Sequence, residues 1–461
     1  MDQNKIEKTP NRISTLIIIN LPSFLTPFMA SSVNIALPTI GKEFNMDAVL
    51  LGWVATIYIL SAAMFLVPFG RLGDIYGRKR IFTYGIMVYT ISSFLLGISF
   101  SSGMLLALRV VQGISASMMF STTVAILTSL FPPQERGKVL GINVATVYVG
   151  LSLGPTLGGI LTEQLGWRSI FLFNVPLGLA VIIFAFWKLK GDWSDAKGEK
   201  FDLIGSIVYG IMLISIMYGF TKLPGYLGIV FIVFGVLSFC VFVLLETRIK
   251  NPVLDINLFK NSKSFAFSNL AALINYSATS AVGFILSLYL QYLKSLSPKD
   301  AGLVLLAQPA TQAILSPIAG KLSDRIEPRI VASIGMGLTV IGLFLLIPLN
   351  ENTSLTFMIV SLIFLGFGFA LFSSPNTNAV MSSVEKRYYG VASGTLGTMR
   401  MTGQMLSMGI IMLIMSIYIG RVKITPEYFG LFLKSARTAF VIFSILCLGG
   451  VFASLSRGKV R

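Results

Sequence analysis

The chain of 461 residues contains no histidine, so it has no imidazole base, no imidazole metal ligand and no side chain that ordinarily changes charge near neutral pH. Cysteine is almost as rare. Cys240 and Cys447 both lie inside apolar segments, with neither the spacing nor the context of a disulfide or a metal site. Charged residues make up only 12% of the chain, about half the share of an ordinary soluble domain and too few to cover a water-exposed surface of this size. No Gly-x-x-x-x-Gly-Lys-Ser/Thr loop is present, which argues against energising by nucleotide hydrolysis within the chain. These gaps make an enzyme the least expected reading, and no cofactor or metal is called for. What is abundant is apolar: 54% of residues are hydrophobic and the mean hydropathy is +0.81. The apolar residues recur in runs of about 20, the length an α-helix needs to cross a bilayer. Alternating strands of an outer-membrane barrel are not seen. The fold class expected is an all-α polytopic membrane protein.

Fourteen apolar spans are expected. They give a polar N-terminus at 1–12, a first six-span bundle at 13–188, two linking spans within 189–264, a second six-span bundle at 265–456 and a tail at 457–461. The net charge of +17 raises nucleic acid as a partner, but the basic residues sit in short clusters between spans, which excludes that reading. Alternate loops carry 25 Lys and Arg on the side of the termini against nine on the other, so both termini are expected in the cytoplasm, with the protein in the cytoplasmic membrane. A long first apolar run after the charged start reads as a span rather than a signal peptide. An internal repeat supports two related halves. Gly70-Arg-Leu-Gly-Asp74 recurs as Gly320-Lys-Leu-Ser-Asp324, and Gly137, Gly141 and Gly150 recur as Gly390, Gly394 and Gly403, at offsets of 250 and 253. Transporters are commonly built from such repeats, with the binding site where the halves meet.

The loop from Gly70 to Arg80, with Asp74, Gly77 and Arg78, combines turn-forming glycines, a capping aspartate and a basic run. With Arg109 and Gln112 in span four, and Gly150, Gly154, Pro155, Gly158 and Gly159 in span five, this combination resembles the major facilitator superfamily. The glycine–proline set is similar to the signature of its antiporters. Asn34-Ile-Ala-Leu-Pro38, Trp53 and Trp167-Arg-Ser-Ile-Phe171 extend the likeness to the fourteen-span drug:proton antiporters, which include quaternary-ammonium and tetracycline efflux pumps. That resemblance implies a major facilitator fold of two pseudosymmetric six-helix bundles plus two extra central spans, and alternating access. It implies that Asp74 and Arg78, with Gly320 and Asp324 in the second half, gate the cytoplasmic side. The glycine helix would pack against the other bundle, and Arg109 would serve proton coupling or organise the cavity. The chain itself is compatible: Gly150, Gly154 and Gly158 share one helix face suited to close packing, and Pro155 can kink it. Arg400, embedded in span thirteen, is expected to face the cavity or an anionic substrate group.

One departure stands out. Where the family pattern places an aspartate five residues before Asn34, this chain has Met29, and none of its 19 acidic residues falls in the middle of a span. Proton coupling ordinarily needs a buried carboxylate or histidine. A boundary acid such as Glu163 or Asp74 would have to titrate, or another ion drives transport, or the carrier is uncoupled. The expected function is export of amphiphilic small molecules, with a coupling proton as partner and the chain acting as a monomer in the bilayer. An uncoupled carrier of a lipid or metabolite, and a receptor or scaffold on the same fold, are the alternatives. Polar candidates for the cavity are Asn34, Tyr148, Asn275, Tyr276, Gln308, Gln312, Asn376 and Gln404.

Overall fold

The computed structural model describes residues 12–46, 48–189, 193–223, 225–296, 298–419 and 426–458. Helix dominates because in lipid each backbone polar group must find its partner inside its own segment. The first half comprises α1 (Arg12–Phe44), α2 (Ala48–Tyr76), α3 (Arg78–Gly97), α4 (Ser102–Leu130), α5 (Pro133–Leu165) and α6 (Arg168–Lys188). Two linking helices follow, α7 (Leu203–Lys222) and α8 (Tyr226–Glu246), then the short α9 (Asn257–Asn261). The second half contains α10 (Lys263–Thr279), α11 (Val282–Leu288), α12 (Pro298–Leu305), α13 (Ala307–Arg325), α14 (Pro328–Leu345), α15 (Leu355–Ser382), α16 (Tyr389–Tyr418) and α17 (Phe429–Leu455). A π-turn at Tyr289–Leu293 continues α11.

Local chemistry sets the ends. Ser101, Asp202, Ser262 and Ser354 cap the helices after them through their side-chain oxygens. Pro133 and Pro328 open α5 and α14 where no amide hydrogen is required. Gly77 joins α2 to α3 at φ 111°, a left-handed conformation that a side chain would strain. At the opposite end of the bundle, Arg168 donates to both oxygens of Glu43 (2.9 and 2.6 Å) and Trp167 Nε1 adds a third bond (2.6 Å). These bonds, that of Arg168 foremost, hold the Glu43 carboxyl below the usual carboxylate range.

Twelve helices among the described residues are long and apolar enough to cross a membrane, against the fourteen expected. The two expected spans that fall short lie on α7 and α16. The described apolar stretch of α7 ends at Ile216, so it counts as a shorter helix. Helix α16 is 30 residues long, but not all of its side chains are among the described residues, so it is not counted.

Apolar packing divides by half. Residues such as Phe82, Tyr89, Met119 and Val139 form one cluster of the first half, and Met29, Val33, Val54 and Phe171 another. The large cluster around Phe265, Leu286, Met336, Leu362 and Phe440 belongs to the second. Helices α7 and α8 dock outside both halves: Tyr209, Met212, Leu213 and Phe242 pack on Ala63 and Val67 of α2 and on Val391 of α16. The rest of α8 is a lipid-facing surface, with Val230, Val233, Phe234, Leu237 and Leu244 exposed.

Candidate functional site

At one end of the bundle the two halves are clamped twice by the same device. Asp74, wholly buried near the end of α2, accepts from the backbone amides of Gly390 (2.9 and 3.0 Å) and Val391 (3.2 Å), at the start of α16. Asp324, near the end of α13, accepts from the amides of Gly137 (2.7 Å) and Lys138 (2.8 Å), in the first turns of α5. A carboxylate on exposed amide donors at the positive end of a helix is a favourable arrangement. Each clamp requires close backbone approach. A Cβ on Gly70 would run into the Gly390 carbonyl, and one on Gly137 into the Gly320 carbonyl, so glycine faces glycine across both seams.

The clamps differ in support. Arg78 donates to Asp74 from Nε (2.8 Å) and Nη2 (2.6 Å), and also reaches Ser129 (2.8 Å), Asp195 (2.9 Å) and, across the seam, the Lys386 carbonyl. The ring of Tyr389 lies 5.4 Å from Arg78 and 5.6 Å from Arg136. In the second half the position four after Asp324 is Pro328, so no arginine supports that clamp from the same place. Asp195 and Ser129, which the sequence did not single out, complete the Arg78 site from a loop and from α4.

The glycine helix differs from expectation. Gly150, Gly154 and Gly158 do not meet the other half; they admit Phe24, Ser31 and Ser32 of α1, in the same half. Ser32 donates to the Gly154 carbonyl (3.0 Å). The contacts to the other half come earlier on α5, at Gly137 and at Gly141, which faces Ser316. A stripe of small residues allows close approach without naming the neighbour. Pro155 is exposed and Gly159 half-buried, within a helix that runs on to Leu165. Gly403 repeats this on α16, where it admits Leu273 and Tyr276 of α10.

Arg109 is 1% exposed and its partners all belong to the first half. Its Nε donates to the Val54 carbonyl (3.0 Å) and Nη1 to Gln112 (2.6 Å), which in turn donates to Ser93 (2.9 Å). The guanidinium lies 4.4 Å from the Tyr58 ring centre. It therefore sits inside the bundle wall rather than in a cavity. Because it makes no ion pair among the described residues, an apolar replacement removes a desolvation cost along with its hydrogen bonds. Arg109→Met is expected to keep its melting temperature within a few degrees while transport falls at least tenfold. A parallel loss of both would assign Arg109 to packing alone.

At mid-depth, Tyr148 from α5 meets Tyr276 of α10 and Phe369 of α15 in a small buried cluster spanning the two halves. Arg400 of α16 borders it, 5.8 Å from the Tyr276 ring. Of the other polar candidates, Asn376 is occupied elsewhere: it donates to the Ser268 carbonyl (3.1 Å) and accepts from buried Arg457 (2.9 Å). Asn275 is wholly buried and neither of its amide atoms has a partner; Gln312 is buried with its Oε1 unpartnered. Gln308 and Gln404 are half-buried. The Asn34 side chain lies outside the described residues. Met29 is fully buried in an apolar cluster with Val33 and Ala36.

One pair of acids is closer than the sequence suggested. Glu246, at the end of α8, is 3% exposed because the chain after it folds back and Leu254 donates its amide to Oε2 (2.9 Å). Glu246 Oε1 and Asp202 Oδ2 are buried without a donor and both lie over Gly205, within reach of each other. Two facing acceptors are satisfied when one carries a proton. Glu163, by contrast, is exposed. No group of acids or cysteines able to hold a metal occurs among the described residues.

The sequence profile of the Major Facilitator Superfamily matches residues 21–245 and 269–459. The chain belongs to that superfamily. Its relatives there include the riboflavin transporter RibZ of Clostridioides difficile, 33% identical over 390 residues and spanning 84% of each chain. The multidrug resistance protein Stp of Mycobacterium tuberculosis is 30% identical over 406 residues, covering 87% of this chain and 75% of its own. Among solved structures, the human organic anion transporter MFSD10 superposes with a TM-score of 0.68 at 16% identity, over 96% of this chain and 100% of that one; this likeness shows the fold. The chain is thus a multi-pass major facilitator transporter, with a small-molecule substrate and a lipid environment.

Proposed function

We propose that this transporter exports amphiphilic small molecules or drugs by alternating access, as a monomer in the cytoplasmic membrane. The observation that carries the reading is the double clamp. Asp74 on α16 and Asp324 on α5 close one end of the bundle, and beyond Tyr148 and Arg400 the same helices turn to partners in their own halves. The charge bias of the loops makes the clamped end cytoplasmic, with both termini on that side and α7 and α16 completing fourteen spans. The state described is then closed to the cytoplasm.

We further propose proton antiport, with the Asp202–Glu246 pair as the proton carrier in place of a mid-span acid. In proteoliposomes holding a proton gradient, adding substrate should release protons, and Glu246→Gln should abolish that release while downhill substrate flux continues. Substrate flux in the wild type without proton movement would remove coupling. The buried Met29 then favours the second reading, an uncoupled carrier of a lipid or metabolite.

A further inference from the structure

Arg400 is held incompletely. Its Nη2 donates to Thr377 (2.6 Å), but its Nε is shut from solvent without a partner, and it forms no ion pair among the described residues. A guanidinium placed at membrane depth without a counter-charge is costly, so a partner bringing negative charge gains more there than in water. The walls beside it are aromatic. Tyr276 and Phe369 stand edge to face, 5.5 Å between ring centres at 80°. Tyr148 reaches across from the other half and packs against Tyr276 and Phe369. Flat rings bind well against such surfaces, and an arginine at their edge fixes where the charge of the ligand must lie. Among the described residues no carboxylate lies in this cluster, so a cation gains only stacking on the rings and is opposed by the charge of Arg400.

We propose that Arg400, Tyr276, Phe369 and Tyr148 form a binding site for flat aromatic anions, with a carboxylate or sulfonate on the guanidinium and the ring system against Tyr276 and Phe369. The assignment rests on the export reading, and it narrows the cargo to a class that an acid-lined multidrug cavity would reject. Tyr148 belongs to the half that moves relative to the other three residues. Rocking the halves therefore opens one wall of the site, and binding and gating share a side chain.

The test is equilibrium binding to the purified full chain in lipid nanodiscs, by calorimetry, with two probes of matched size: 2-naphthalenesulfonate and the N-methylquinolinium cation. The anion should bind at least tenfold more tightly than the cation. Arg400→Gln should abolish that preference, Arg400→Lys should restore part of it, and Tyr276→Leu should weaken both probes. Equal affinity of the wild type for the two probes, or an unchanged anion affinity in a folded Arg400→Gln variant, overturns the site. The wild-type comparison decides the matter even where a variant does not fold. Because no gradient or flux enters the measurement, its failure is distinct from failure of the export reading, which would appear as tight anion binding without transport.

Discussion

Asp74→Asn should shift the transporter away from the clamped state and slow its cycle at least tenfold while leaving it inserted. The carboxylate meets two amides of α16 and two nitrogens of Arg78, all buried. Asparagine keeps the shape but loses the charge that both the helix end and the guanidinium require, and it leaves Arg78 buried with Asp195 as its remaining ion-pair partner. Removing one member of a buried pair costs about 3–5 kcal/mol. Even about 2 kcal/mol falling on the closed state alone shifts its population roughly thirtyfold. Spin labels at Tyr76 and Glu385, in a Cys240→Ser background, would read the seam directly, and a longer distance should appear in the variant. An unchanged distance and unchanged flux would remove Asp74 from the gate. Asp324→Asn should loosen the second seam in the same way, through the lost charge on the Gly137 and Lys138 amides.

Gly390→Val tests the same closure through volume rather than charge. Its Cβ would meet the backbone carbonyl of Gly70, which no rotamer change can move, and would come within 2.9 Å of Asp74 Oδ1. The seam must then open along α2 and α16, so flux should fall more than tenfold with protein still in the membrane. Gly137→Val should do the same at the α5 seam. Gly103→Val is the control, since a Cβ there meets nothing within 4 Å. Gly154→Leu is expected to act differently, by forcing α1 from α5 within one half, and so to lower thermal stability along with transport. Wild-type flux in Gly390→Val would show that closure at this seam is not part of the cycle.

Much of this was legible in the sequence because the repeat was. The offset relating Gly70–Asp74 to Gly320–Asp324, and that relating Gly137 to Gly390, bring the equivalent residues to equivalent seams. The partners across each seam were not legible, since Gly70 and Gly390 are 320 positions apart and nothing local pairs them. The face of Gly150, Gly154 and Gly158 was read correctly as a packing surface, but its neighbour is α1 rather than the other half. Asn376 looked like a cavity residue because it is polar within a span; its environment is set by Arg457, from a tail that the span pattern left outside the fold. Glu246 looked peripheral because hydropathy marks where a helix ends, whereas its burial depends on the segment through Leu254 returning over it. Arg400 was noticed for its cost, and its aromatic neighbours come from α5, α10 and α15, a grouping that only the folded chain assembles.

The docking of α7 and α8 has a consequence for the symmetry of the surface that faces lipid. A strictly twofold carrier would present two equal flanks to the bilayer, one along α2 and α16 and one along α5 and α13. Tyr209 bonds to Thr398 of α16 (2.7 Å), and the surface around it lies on α2, so the linking pair roofs the first flank. The second keeps Ile314 and Ile318 of α13 and Leu153 of α5 open to lipid. The bilayer thus meets one seam covered and the other bare, and the two halves of an otherwise repeated architecture are made unequal from outside.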